Sequence, residues 1–184
     1  MMRTYARRID QALRPFLKGL EVPLILAASK PIASIFRSVN SYPHLAPATI
    51  AGNVEAISDD ALAERAPVVL DELYANQLRQ LHELYERRVS EDRALFDIAE
   101  VARAATYGAV DTMLVDIDAV VPGSVDERTG AVTFGEAGPD RYGIVDEIAR
   151  RVWLTDGRVP AVRSDDIPGR SPVAAILRYA PALG

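Results

Sequence analysis

The chain has 184 residues, no cysteine, 21 Lys and Arg against 26 Asp and Glu, and 49% hydrophobic residues. This composition predicts one or two globular domains rather than disorder. It excludes disulfides, thiolate metal sites, iron–sulfur clusters and a cysteine nucleophile, leaving carboxylates with His44 and His82 as candidate bases or ligands. No apolar run approaches the roughly 18 residues of a membrane span, and the Arg-rich start (Arg3, Arg7, Arg8) is not followed by a secretory core. A cytoplasmic protein without a membrane partner is expected. A net charge of −5 argues against coating nucleic acid through bulk electrostatics, while leaving room for a local basic patch.

In chain order, Ala6, Ile9, Leu13 and Phe16 or Leu17 recur at helical spacing, and Lys18-Gly19 stops the helix predicted over 4–17. Val22 to Ala28 reads as a strand covered on both faces, which points to α/β architecture. Pro31 opens a second helix carrying Ile32, Ile35, Phe36 and Val39. Ser41 to Ile57, punctuated by Pro43, Pro47, Gly52 and Asn53, reads as a long ordered loop. Ser58 caps a helix that runs to about Arg88, with Leu70, Leu73, Tyr74, Leu78, Leu81 and Tyr85 on one face, expected to bridge two halves.

Ser90-Glu91-Asp92 is expected to restart a helix carrying Leu95, Ile98, Ala99, Ala102 and Ala105 up to Gly108. Val110 to Val121 reads as a strand. A hairpin around Asp126-Glu127-Arg128-Thr129-Gly130 follows, then a helix with Ile144, Val145, Ile148, Ala149 and Val152. Strands at Arg158–Arg163 and Val173–Tyr179 flank a polar loop.

Chemical motifs are sparse. Neither phosphate-binding glycine pattern occurs, and no G-x-S-x-G elbow supports a serine hydrolase. Asp116 and Asp118, two apart on a predicted strand, would share a face near Asp126 and could hold Mg²⁺ or Ca²⁺, although a solvated strand end is the plainer reading. His82 and Glu86, at i and i+4, could ligate a metal, but lack a third ligand. His44, in Tyr42-Pro43-His44, lies in the long loop, where bracing is a plainer role than catalysis. The doublets Arg7-Arg8, Arg87-Arg88 and Arg150-Arg151 could grip RNA phosphates, with intrahelical ion pairing as the favoured alternative. Tyr74, Tyr85 and Trp153 read as core. No catalytic constellation and no cofactor emerge.

Three segments carry a family resemblance: Ala104-Ala105-Thr106-Tyr107-Gly108-Ala109-Val110-Asp111-Thr112-Met113-Leu114-Val115, Val145-Asp146-Glu147-Ile148-Ala149-Arg150-Arg151 and Pro172-Val173-Ala174-Ala175-Ile176-Leu177-Arg178-Tyr179. In order and spacing they resemble the C-terminal domain of the archaeo-eukaryotic peptide-chain release factor and pelota superfamily. Val22 to Ala27, Val39 to Leu45 and Ile50 to Asn53 look like the middle domain of the bacterial branch, specifically its family three. The resemblance implies an α/β fold: a partial ribonuclease-H-like middle domain over 1–89, including the long helix, and an α/β/α sandwich over 90–184. It also implies that the chain is the C-terminal half of a longer relative, with an uncovered sheet edge that invites self-association.

True release factors place a Gly-Gly-Gln loop at the peptidyl-transferase centre. This sequence has no Gly-Gly pair, so no catalytic residue carries over. The expectation is a non-catalytic, release-factor-like module in translation termination, ribosome rescue or stress response, whose partner is the ribosome, tRNA or a translation-associated protein. Tyr42 and His44 are its interaction candidates. The alternatives are a divalent-cation-dependent, nuclease-like enzyme using Asp116 and Asp118, and a self-associating structural fragment.

Overall fold

A computed structural model describes residues 1–52, 56–135 and 143–180. The chain divides into two compact units, Met1–Gln77 and Leu78–Gly184, and the boundary falls inside the long helix rather than after it.

The first unit opens with α1 (Met2–Leu17), β1 (Leu24–Ala27), α2 (Lys30–Arg37) and β2 (Leu45–Ile50). Pro31 sits in the first turn of α2, where its missing N–H costs nothing. The strands run parallel, pairing Leu24 with Leu45 and then, after a slip on β2, Leu26 with Thr49 and Ala27 with Ile50. Pro47 falls within that slip, so the ladder loses no donor there. The Arg37 guanidinium takes up the surrounding acceptors, donating to the Ala46 carbonyl (2.8 Å), the Ala48 carbonyl (2.9 Å) and Thr49 Oγ1 (2.7 Å). The segment expected as a continuous loop therefore contains a strand, made regular by an arginine thirty-odd positions into the chain rather than by its own pattern. Burial in this unit rests on small residues, with Ala6, Ala28, Ala33 and Ala46 inside beside Phe36. Among the described residues β1 pairs only with β2, so its other edge is open.

The helix α3 (Asp59–Val89) starts at Ser58, whose hydroxyl accepts from the Ala61 amide (3.3 Å). Its part beyond Gln77 belongs to the second unit, where Leu78 and Tyr85 are buried. There follow β3 (Ala94–Leu95), α4 (Ile98–Thr106), β4 (Val110–Asp116), a hairpin of β5 (Gly123–Val125) and β6 (Val132–Phe134), α5 (Ile144–Leu154), β7 (Ala161–Val162) and β8 (Val173–Leu177). The main sheet has the order β3-β8-β4-β7. Its centre is the antiparallel pair β4 and β8; β8 is apolar throughout because both faces are covered, and β4 is apolar at Val110 and from Met113 to Val115. Met113, Val173, Ala175 and Leu177 join the cluster with α4 and α5, whereas Leu114, Ala174 and Ile176 pack with Leu78, Tyr85 and Ile167 on the opposite side. Helices thus cover the sheet on both faces, the α/β/α arrangement expected. Val110 and Met113 share a face although three residues apart, because the ladder slips between Val110 and Thr112 and flips the parity.

Several expectations need correction. No helix restarts at Ser90: Asp92 has a left-handed φ of 55°, Ala94 and Leu95 pair with Ile176 and Ala175, and α4 begins only after Asp97, whose carboxylate caps the Ala99 and Glu100 amides. The strand expected to Val121 ends at Asp116. The indole of Trp153 is not core; the residue is 62% exposed, and Tyr74 is 40% exposed. Among the described residues no helix is long and apolar enough to cross a membrane.

Candidate interaction surface

The 3.6-residue period of α1 brings Arg3, Arg7, Asp10 and Arg14 onto one side of the helix. Asp10, at 4% exposure, is the buried charge of the first unit among the described residues. Its Oδ1 accepts from the Ser41 amide (2.7 Å) and hydroxyl (2.9 Å), and its Oδ2 from Arg14 Nη2 (2.8 Å) and Nε (3.1 Å). Burial pushes this carboxyl up, but the Ser41 amide, the Arg14 guanidinium and the Ser41 hydroxyl together outweigh it and hold the group below its ordinary range.

Through Ser41, Asp10 fixes the start of the loop that holds the two interaction candidates. The Tyr42 hydroxyl donates to the Val22 carbonyl (2.6 Å), with the Leu20 carbonyl at 3.2 Å, and the Asn40 side-chain amide donates to the Tyr42 carbonyl (2.7 Å). The Tyr42 and His44 rings meet edge to face at 5.4 Å. Tyr42 is half-buried and His44 exposed. The bracing role expected of this loop is thus assigned to Tyr42 and Ser41, while the His44 ring remains presented to solvent. Between this loop and the end of α1 lies a cavity of about 640 Å³, lined chiefly by Leu13, Leu17, Leu20, Tyr42 and Pro43, with Arg14 and Lys18 among its walls. A helical-wheel reading would have found the Arg3-Arg7-Asp10-Arg14 alignment. The partnership of Asp10 with Ser41 carries no local signal, since 31 positions separate them.

The other candidates are placed elsewhere. Asp116 ends β4, and its Oδ1 accepts from the Asp118 amide (3.0 Å) in a turn, so the two carboxylates do not share a strand face. Asp126 accepts from the Thr129 hydroxyl (2.6 Å) and amide (2.7 Å) and from the Arg128 amide (3.1 Å); these bonds, led by the Thr129 hydroxyl, lower its pKa. His82 Nε2 lies 2.6 Å from the Asp166 carbonyl, to which it donates, tying α3 to the loop before β8. Among the described residues no group of three or more His, Asp or Glu is arranged to hold a metal ion.

The arginine doublets divide. Arg88 pairs with Glu91 (2.5 Å), and Arg150 and Arg151 both pair with Glu147 (2.9 and 2.8 Å), the local pairing expected. The Arg150 guanidinium leads in holding the Glu147 carboxyl down at about 2; burial opposes it and Arg151 adds to it. Arg7 and Arg8 make no ion pair among the described residues.

Residues 1–76 match the model of a family described as bacterial archaeo-eukaryotic release factor family 11. The number replaces the family three expected from the sequence. No curated protein matches the chain. Of solved structures, ribosome-bound archaeal Pelota, determined with ABCE1, is 21% identical, with a TM-score of 0.60 over 96% of this chain and 49% of that one. Dom34 of S. cerevisiae, described as a translation termination-like factor involved in RNA quality control and interacting with Hbs1, is 15% identical, with a TM-score of 0.60 over 97% of this chain and 53% of that one. The chain thus spans about half the length of these relatives. At these identities the likeness is one of fold, and it establishes for this chain the mixed α/β fold of the pelota and release-factor group, through both of its units.

Proposed function

We propose that the chain is a release-factor-like interaction module of translation, acting in termination, ribosome rescue or the stress response within the cytoplasm. It binds a ribosomal, RNA or translation-associated protein partner and does not itself cleave peptidyl-tRNA. The observation that carries this reading is the likeness to Pelota and Dom34, which extends through 96–97% of the chain instead of stopping at one unit. The match of residues 1–76 to a release-factor family adds independent support. The non-catalytic half of the proposal rests on the chain's lack of any Gly-Gly pair and on the Asp116 carboxylate being spent on its own turn.

The test is to incubate the chain with ribosomes carrying labelled peptidyl-tRNA, then to measure both its pelleting with the ribosomes and the label set free. Pelleting without release is expected; release above the uncatalysed background would refute the non-catalytic assignment. A second reading, self-association, is favoured by one observation: the open edge of β1 lies beside an apolar hollow of about 820 Å³ that includes Met2, Tyr5, Ile9 and Ile32.

A further inference from the structure

The negative charge of the whole chain conceals a strong local imbalance. Residues 1–50 hold seven Lys or Arg (Arg3, Arg7, Arg8, Arg14, Lys18, Lys30 and Arg37) against only Asp10 and Glu21, and the remainder of the chain is correspondingly acidic. On α1 the cations are not scattered. Arg3, Arg7 and Arg14 fall, with Asp10, within an arc of about 60° and over roughly 16 Å of helix, and Lys18 follows just past the helix end.

Arg3, Arg7 and Lys18 make no ion pair among the described residues. Asp10 offers no bare negative charge to repel an anion, because it is buried and both its oxygens are occupied by Arg14 and Ser41. The same Asp10–Ser41 link places the Tyr42/His44 loop alongside the stripe, and the cavity of about 640 Å³ lies where the two meet. Its apolar walls, with the Tyr42 ring held by its hydroxyl, suit a flat, weakly polar group, and its volume lies in the range of small-molecule sites.

We propose that this face binds single-stranded RNA, with Arg3, Arg7 and Lys18 on phosphates of the strand, Arg14 held back by its pair with Asp10, one unstacked base in the cavity and the exposed His44 ring as a stacking surface. The inference deepens the proposed function, on which it rests for a partner in translation, by naming RNA and the face that takes it. Cations in a row supply affinity without sequence preference, and an aromatic surface beside them is what distinguishes a single strand from any other polyanion. A duplex would satisfy the cations but keep its bases out of the cavity. An acidic protein would satisfy the cations and leave the cavity and His44 unused.

The test is fluorescence anisotropy with a labelled 12-nucleotide single-stranded RNA across a salt series. It compares the parent chain, the triple variant R3Q/R7Q/K18Q, the charge-matched control R103Q/R128Q/R163Q in the second unit, and His44→Ala, each checked for folding by circular dichroism. The triple variant should bind at least tenfold more weakly, with a salt slope reduced by about 2, from roughly 0.7 per lost phosphate contact. The control should bind like the parent. His44→Ala should weaken binding several-fold at an unchanged slope, as loss of stacking without loss of charge requires. Equal affinity and slope for parent and triple variant would overturn the proposal. So would binding of poly-glutamate of matched length as tightly as RNA, which would instead mark a general polyanion surface. Ribosome pelleting by the triple variant separates the two readings: parent and variant pelleting alike, with RNA binding unchanged, sinks this inference and leaves the translation role standing, whereas a parent that binds RNA but never pellets sinks the role alone.

Discussion

Asp10 shows how much one polar side chain can organise. A buried carboxylate is costly unless every lone pair finds a donor, and here Ser41 and Arg14 supply them from a loop and from the next turn of the same helix. Asp10→Ala should therefore destabilise the first unit by about 2 kcal/mol, read by denaturant unfolding, and should release the Tyr42/His44 loop. The pH dependence follows from the direction of the shift. Because the folded pKa lies below the ordinary 3.8, the contribution of Asp10 is fully present above that value and is lost as pH falls through the folded pKa. The stability gap between parent and Asp10→Asn should thus be constant near neutrality and should narrow below about pH 4. A gap that widened on acidification would contradict the assignment. Nothing local in the sequence announces this burial, since an aspartate among arginines on a helix is what a solvated face also looks like.

At the level of elements, Arg151 plays the corresponding part in the second unit. The sequence pairs it with Arg150 as a helix-surface doublet, and Glu147 does hold both. Only the fold reveals that Arg151 is buried, donating also to Thr106 Oγ1 (2.6 Å), the Val125 carbonyl (3.1 Å) and the Asp126 carbonyl (3.0 Å), so that α4, α5 and the hairpin converge on one guanidinium. Arg151→Met should cost roughly 3 kcal/mol, because it leaves the Thr106 hydroxyl and the Val125 and Asp126 carbonyls without their donor, while Glu147 keeps Arg150. Far-UV circular dichroism in urea measures the loss, and a cost below about 0.5 kcal/mol, the ordinary surface value, would contradict it. Lowered to about 2, the Glu147 carboxyl contributes stability above its ordinary 4.5 that is lost as pH falls from there towards 2.

The long periodic elements are legible from the chain alone: α1, α3 and α5 announce themselves by apolar spacing, β4 by a partly alternating pattern and β8 by a continuous apolar run. Two strands are not. Pro47 disguised β2, whose irregular register is sustained by Arg37 from outside the segment. Two-residue β3 looks like the start of a helix in the sequence, because only its pairing with β8 makes it extended. The Asp116 and Asp118 pair is hidden for a related reason: strand parity would place both carboxylates on one face, but the strand ends at Asp116, two residues before Asp118.

The molecule as a whole joins units of unequal character. The second buries Met113 and Leu114 of its sheet with Ile144 and Ile148 of α5, and that sheet's two edge strands are only two residues long, whereas the first buries mainly alanines and, among the described residues, pairs β1 with β2 alone. If the other edge of β1 pairs copies of the chain, static light scattering should return twice the 20.0 kDa monomer mass at micromolar concentration. A charge placed inside β1, Ile25→Lys, should then restore the monomer, while a parent that is monomeric throughout removes the second reading. The central claim is association with the translation machinery through a fold shared with Pelota and Dom34. Sedimentation of the chain with purified ribosomes through a sucrose cushion tests it most directly. Saturable co-pelleting that weakens as salt rises is expected; a chain that stays in the supernatant at low salt, at concentrations well above those of the ribosomes, would contradict this association.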